Sequence, residues 1–361
     1  MKKLFYFLTL ALCGFILLNC ESVIRYTQEA TVMCYEFIIP SLFPFFVCSG
    51  LLVYSGFGEI IAKVCERFMR PLFNIPPSGA IAFVLGIISG FPSGAIYTAE
   101  LYKSSNLSKT EAERLLAFCN NCGPLFIIGT VATALCITPK AGILLYLIHI
   151  ASSVVVGLIF RNYRKDRHIS PKTRVNTKEI SITEAISRAL TNASQNIISV
   201  CFSIIFFSAI SRALLDLLSL SPKAYALFSG LAEFSTGVLN VSGLDIPDAS
   251  KLIYASFIVG FSGFCVHLQV MRFAADAGLS LVPYILGKCL HAITAAVLTA
   301  ACIFILPIRN MSFDSHTASV SFIVSSGAIA GACILVIVLS LIFLLPRLQD
   351  RASHIHKEVL R

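Results

Sequence analysis

The sequence predicts an all-α polytopic membrane protein of about eight transmembrane helices plus two re-entrant hairpins, arranged as an inverted repeat. Three observations predict it: a composition too apolar for water, segments long enough to cross a bilayer, and basic residues gathered in a few loops. Of 361 residues, 57% are AVILMFWYC and 13% are charged, about half the charged share of a soluble domain. The mean hydropathy is +0.83. One core of this length cannot hide that much apolar surface, which excludes a soluble enzyme, a disordered chain and a nucleic-acid binder. The formal charge of +9 collects in loops, where anionic headgroups account for it. The 13 cysteines are odd in number and scattered through apolar runs (Cys48, Cys136, Cys201, Cys302, Cys333), so they read as small hydrophobes and not as a disulfide framework.

Taken in chain order, Lys2 and Lys3 precede an apolar run that ends at Asn19-Cys20. Asn19 is a poor residue before a lipoprotein cysteine, and the segments beyond Cys20 are themselves hydrophobic, so the run reads as a retained first transmembrane helix. The expected spans are residues 4–19, 36–55, 80–103, 141–160, 197–218, 225–242, 281–306 and 319–345. Two further stretches, 115–138 and 252–270, are apolar but interrupted by Gly, Pro or Asn. Between the second and third spans, residues 57–73 set Lys63, Arg67 and Arg70 among Ile60, Ile61, Val64 and Phe68 at helical spacing, the pattern of an interfacial helix.

The basic residues decide between topologies. The loop 161–178 carries seven of them against the single acid Asp166, and the tail carries Arg347, Arg351, Lys357 and Arg361. Ten crossings would put the middle loop outside; eight crossings and two hairpins put it, the interfacial helix and both termini in the cytoplasm. That count places Lys109 outside. It divides the chain into a first helix and outer loop (1–35), a first repeat (36–160), a basic cytoplasmic linker (161–194), a second repeat (195–310), and a last helix with basic tail (311–361). The two repeats have the same element order and opposite orientation. A sequence echo accompanies it: Phe91-Pro92-Ser93-Gly94 against Phe234-Ser235-Thr236-Gly237, then Asn120-Asn121-Cys122-Gly123-Pro124 against Gly260-Phe261-Ser262-Gly263-Phe264.

Glycine and proline within a span free backbone groups that hydrocarbon cannot satisfy, so such breaks survive against protein or a wet cavity. Each break also exposes a half-helix N-terminus with partial positive charge. The expected binding residues are Phe91, Ser93 and Gly94, the hairpin-tip amides Asn120 and Asn121, and Phe234, Ser235, Thr236, Gly237 and Ser262. Glu233 and His267 flank the repeated motifs and are the candidates for a proton or ion relay. Glu100, Lys288 and His291 also fall within spans, His149 reads as core, and Arg212 with Asp216 reads as an i,i+4 pair. Cys119-Asn120-Asn121-Cys122 has no second cysteine pair and no neighbouring His in sequence, so no zinc site is expected from it. Neither a metal nor a cofactor is expected, and no enzymatic activity.

The run Gly90-Phe91-Pro92-Ser93-Gly94-Ala95, followed by Cys119-Asn120-Asn121-Cys122-Gly123-Pro124 and Ile128-Gly129-Thr130, resembles the sporulation integral membrane proteins of the YlbJ type, within the nucleoside-recognition, or Gate-domain, membrane proteins. The resemblance covers roughly residues 36–310. It implies a secondary transporter of dipicolinic acid across the outer forespore membrane, made by the mother cell. The implied partners are dipicolinate or a similar small organic anion and the lipid bilayer, with no nucleic acid; a homo-oligomer is compatible. A nucleoside or other metabolite carrier on the same scaffold, a non-transporting spore-maturation factor and a thiol-redox enzyme are the alternatives. Phe91 and Phe234 could stack on a planar aromatic anion, and Lys288 is the nearest cation.

Overall fold

The computed structural model describes residues 2–135, 137, 139–164 and 181–305, and all regular elements among them are helical. A bilayer selects this outcome, because a helix satisfies its backbone groups within one segment. Five helices are long and apolar enough to cross: Cys20–Tyr54 (α2), Ala141–Phe160, Ile182–Asp216 (α9), Asp248–Asp276 and Val282–Ile305 (α14). The chain is an integral, multi-pass membrane protein. Its outer surface carries exposed Ile198, Phe202, Phe206, Ile293, Val297 and Phe304, the side chains that lipid covers.

The expected count of eight spans is corrected to these five among the described residues. The first expected span is α1 (Lys2–Leu18), 17 residues with none buried. Backbone bonds across Asn19 carry it on into α2. The expected interfacial helix is α3 (Phe57–Phe68), with Lys63 and Arg67 exposed. The expected last span, 319–345, and most of the basic loop lie outside the described residues.

Two expected spans fold back on themselves. Residues 80–103 form α4 (Ala80–Ile88) and α5 (Ser93–Lys103). A Cβ on Gly86 would come 3.2 Å from Gly94 Cα, whereas eight residues of straight helix span about 12 Å. At the open end Ser78 Oγ donates to the Asn106 carbonyl at 3.2 Å. Residues 222–242 repeat this as α10 (Pro222–Ala232) and α11 (Phe234–Ser242). There a Cβ on Gly237 would meet Gly230 Cα at 2.1 Å, and Asn240 Nδ2 donates to Ser229 Oγ at 2.8 Å. Hydropathy marks all these segments alike; only glycines facing each other let two antiparallel half-helices touch backbone to backbone.

Conversely, the two stretches expected as hairpins are broken helices. In the first, α6 (Lys109–Cys119) ends at Asn120 in an extended conformation (φ −94°, ψ 94°). The chain runs through Gly123 and resumes as α7 (Leu125–Ala134), which packs on α8 (Pro139–Phe160). In the second, α12 (Asp248–Phe261) and α13 (Gly263–Asp276) are separated by left-handed Ser262 (φ 76°) and Gly263 (φ 72°). Here α12 lies along α14, while α13 packs against α9, α5 and α10. The halves of each break do not pack along each other as α4 does on α5 and α10 on α11, which is what separates a broken span from a hairpin.

The ends of the bundle are set by polar contacts. At one end Arg70 pairs with Glu111 (3.7 Å), Arg114 donates to the Arg161 carbonyl (3.2 Å), and Glu113 accepts from Ser280 N–H (3.0 Å). At the other, Asp216 at the end of α9 accepts from Tyr225 Oη (3.2 Å) and from Tyr26. The expected Arg212–Asp216 pair is not made: Arg212 pairs with Glu29 (2.6 Å) and lies over the Tyr26 ring, while Asp216 pairs with Arg25 (3.8 Å). The α4–α5 hairpin therefore opens at the first end and the α10–α11 hairpin at the second.

Candidate functional site

Both hairpin tips reach the middle of the bundle, and each abuts one helix break. At the first tip Gly90 (φ 79°) is so close to the break that an added Cβ would lie 2.7 Å from Gly123 N. Gly86 and Gly94 face the Cys119 carbonyl, at 1.8 and 2.2 Å from their would-be Cβ atoms. Thr98 Oγ1 sits 3.3 Å from Cys119 Sγ. The second tip repeats the arrangement, with a Cβ on Gly263 falling 3.0 Å from Phe234 N and Cys265 Sγ 3.9 Å from Glu233 Oε1. The sequence echo thus corresponds to two tip-on-break contacts.

The two tips then meet each other. Phe91 and Phe234 stand edge to face at 5.7 Å between centroids, and Phe126 from α7 closes on Phe234 at 4.9 Å. Beside them lies a recess lined by Phe91, Cys122, Phe126, Val200, Phe234 and Gln269. Its free volume is about 20 Å³, room for one water. The recess is too small for an organic solute.

The tips differ in charge. Glu233 is fully buried and caps α11: Oε1 accepts from Ser235 N–H (3.0 Å) and the Ser235 hydroxyl, and Oε2 accepts from Thr236 N–H (2.7 Å). The half-helix N-terminus expected to receive an anion is therefore occupied by the chain's own carboxylate, and Ser235 and Thr236 are engaged by it. Glu233 is the N-cap of α11, a position that these hydrogen bonds hold. At the first tip no side chain among the described residues caps α5; the Ser93 and Ala95 N–H groups donate instead to the Gly90 and Pro92 carbonyls (3.0 Å each), and Ser93 and Gly94 are buried in its first turn.

The breaks hold further polar groups. Cys122 N–H donates to His149 Nε2 (3.1 Å), which puts the His149 proton on Nδ1. His291 donates to the His149 carbonyl (3.0 Å), and the two rings lie 4.4 Å apart. His149, read from sequence as core, is thus a partner of the first break. His267 Nδ1 donates to the Gly263 carbonyl (2.7 Å), and its ring contacts Phe261, Phe264 and Tyr284. Asn121 Nδ2 donates to the Phe118 carbonyl (2.9 Å), and Ser262 Oγ turns back to the Val259 carbonyl (3.2 Å). Glu100 is exposed on α5, away from the tips.

Several buried polar atoms have no partner among the described residues: both side-chain polar atoms of Asn120, Asn121 Oδ1, His267 Nε2, Gln269 Oε1, Tyr284 Oη and Lys288 Nζ. Each such group costs about 1–3 kcal/mol when left unmade, more for an ion. Tyr284 and Gln269 are not among the residues that sequence reasoning singles out. Tyr284, Lys288 and His291 recur at i, i+4 and i+7, a polar stripe along one face of an apolar helix, and that spacing is the signal that could have found Tyr284. Among the described residues no group of three or more His, Cys, Asp or Glu could hold a metal ion.

The Gate family model, described as nucleoside recognition, matches residues 37–135, the segment from α2 through the first hairpin and first break. The sporulation integral membrane protein YlbJ of Bacillus subtilis (strain 168) is 32% identical over 331 residues, covering 80% of this chain and 81% of that protein. No solved structure matches. Identity at that level across four-fifths of both chains spans both hairpins and both breaks, so the chain belongs to the YlbJ family of Gate-domain membrane proteins.

Proposed function

We propose that the chain is a secondary carrier, not an enzyme, that moves a small organic anion through an alternating site at the centre of the bundle. The observation that carries this reading is the meeting of two hairpin tips, from opposite ends, with two helix breaks around a buried and partly unpartnered polar cluster. Broken helices facing each other at mid-depth are how carriers hold polar solutes in a bilayer.

With loop 161–178 cytoplasmic, the structure's element order requires that α3 and the open end of the first hairpin are cytoplasmic too, while the second hairpin opens outward. Residues 36–160 and 195–310 then form an inverted repeat. Withdrawal of either tip would open the recess to one side alone. Lys109 moves from the outer side, where the span count put it, to the cytoplasmic side.

Dipicolinate, carried across the outer forespore membrane, is the substrate the family implies, supported by the similarity to a sporulation protein. It is a planar aromatic dianion that suits the Phe91–Phe234 pair and a positively charged end of α5. The nucleoside-recognition description of the matching family model favours a second reading, a nucleoside carrier on this scaffold. Spore dipicolinate in a deletion strain, complemented with wild type or with Ser93→Leu, tests the first reading. Loss of dipicolinate restored by wild type alone is the expected result, and normal dipicolinate without the gene refutes it.

A further inference from the structure

Lys288 lies in the middle of α14 with 1% of its surface exposed, and its Nζ makes neither a hydrogen bond nor an ion pair among the described residues. Its neighbours are thiols and imidazoles (Cys119, Cys122, His149, His291) and the face of Phe91, 5.2 Å from Nζ. An aromatic face attracts a cation but does not supply the counter-charge that a desolvated ammonium lacks. The buried carboxylates, by contrast, are answered: Glu233 by three donors, Glu111 by Arg70, Glu113 by Ser280.

The surroundings of Nζ have the composition of an anion site. One turn away on the same face is fully buried Tyr284, whose hydroxyl approaches the Asn120 amide without closing a hydrogen bond. Asn120 is at the first break, so the donors come from both halves of the molecule. Phe91 leads into α5, whose Ser93 and Ala95 N–H groups are taken by the Gly90 and Pro92 carbonyls. The corresponding end of α11 is filled by Glu233. Phe91 both lines the recess and lies 5.2 Å from Nζ, so withdrawal of the first tip would take this ring away from the cation.

We propose that Lys288, with Tyr284 one turn away and Asn120 beside that hydroxyl, takes a carboxylate of the transported solute. The proposal rests on the carrier reading and adds to it the residues that recognise the anion. With Glu233 already at the start of α11, binding is one-sided, on the first tip.

The test is equilibrium binding to the full chain in lipid nanodiscs, with pyridine-2,6-dicarboxylate, pyridine-2-carboxylate and uridine as probes. The wild type should retain both carboxylates, and Lys288→Met should weaken them roughly 30-fold or more, the cost of removing one partner of a buried charge pair. Lys288→Arg should keep part of the affinity. Tyr284→Phe, which alters one donor and no charge, should weaken the same probes ~5-fold. The melting temperature of Lys288→Met should equal or exceed that of wild type, since an unpaired buried charge is lost. Carboxylate binding by Lys288→Met at wild-type strength overturns the proposal and leaves the carrier reading standing. A wild type that binds uridine alone, or no probe, overturns both. A lower melting temperature in Lys288→Met with unchanged binding in Tyr284→Phe assigns Lys288 a structural role and overturns the proposal.

Discussion

Replacing Glu233 by Gln separates its two candidate roles. The side chain is fully buried, and its carboxylate accepts from Ser235 N–H at 3.0 Å, from the Ser235 hydroxyl, and from Thr236 N–H at 2.7 Å. Gln keeps one acceptor oxygen and turns an NH2 towards a donor, so one buried N–H is left unmade at about 1–3 kcal/mol. The lost charge at the α11 N-terminus removes up to about 2 kcal/mol more. Relief from burying a charge offsets part of this, leaving a net loss of about 2–3 kcal/mol. For a protein of this size that corresponds to a melting temperature lowered by roughly 5 °C. The assay is thermal unfolding in detergent, run beside solute uptake into liposomes. A Glu233→Gln protein that melts with wild type yet no longer couples uptake to a proton gradient would refute the cap and restore the relay.

Gly94→Ala should destabilise by about 1–3 kcal/mol or more, because its Cβ would lie 2.2 Å from the Cys119 carbonyl oxygen, a backbone atom that cannot swing aside. Gly129→Ala, with nothing within 4 Å, is the matched control and should melt within about 0.5 kcal/mol of wild type. In a cysteine-depleted background, Lys109→Cys and Lys63→Cys should be labelled from the cytoplasmic side and Lys223→Cys from the other. Labelling of Lys109→Cys from outside would mean that residues 80–103 cross the membrane. Cys119→Ser with Cys122→Ser should retain uptake and lose only modest stability; complete inactivation would favour the redox alternative.

Much of the fold was legible because a bilayer leaves few options. Apolar length marked residues 197–218 and 281–306, which fall largely within the helices Ile182–Asp216 and Val282–Ile305, and the i,i+4 basic pattern at Lys63 and Arg67 marked the amphipathic α3. What hydropathy could not separate was a span from a hairpin. Residues 80–103 and 115–138 are both apolar and both broken, and the difference is that Gly86 faces Gly94 within its own stretch, while Cys119 and Asn120 face Gly94 of the other. Phe91, Asn120, Phe234 and Ser262 were found because glycine and proline breaks have physical consequences wherever lipid surrounds them. Glu233 was noticed for its cost in a membrane, but its answer lies two and three residues downstream, in N–H groups that exist only once α11 begins there. His149 carries no local pattern that reveals its partner, the Cys122 N–H at the first helix break.

Cross-linking the two hairpin tips tests the carrier most directly. In a cysteine-depleted background, Phe91→Cys and Phe234→Cys occupy rings 5.7 Å apart, within reach of a short bis-methanethiosulfonate reagent. The bridge should form, stop uptake, and release it on reduction. Uptake that continues through bridged protein, or tips that never bridge, would contradict a solute path that opens by parting these two tips.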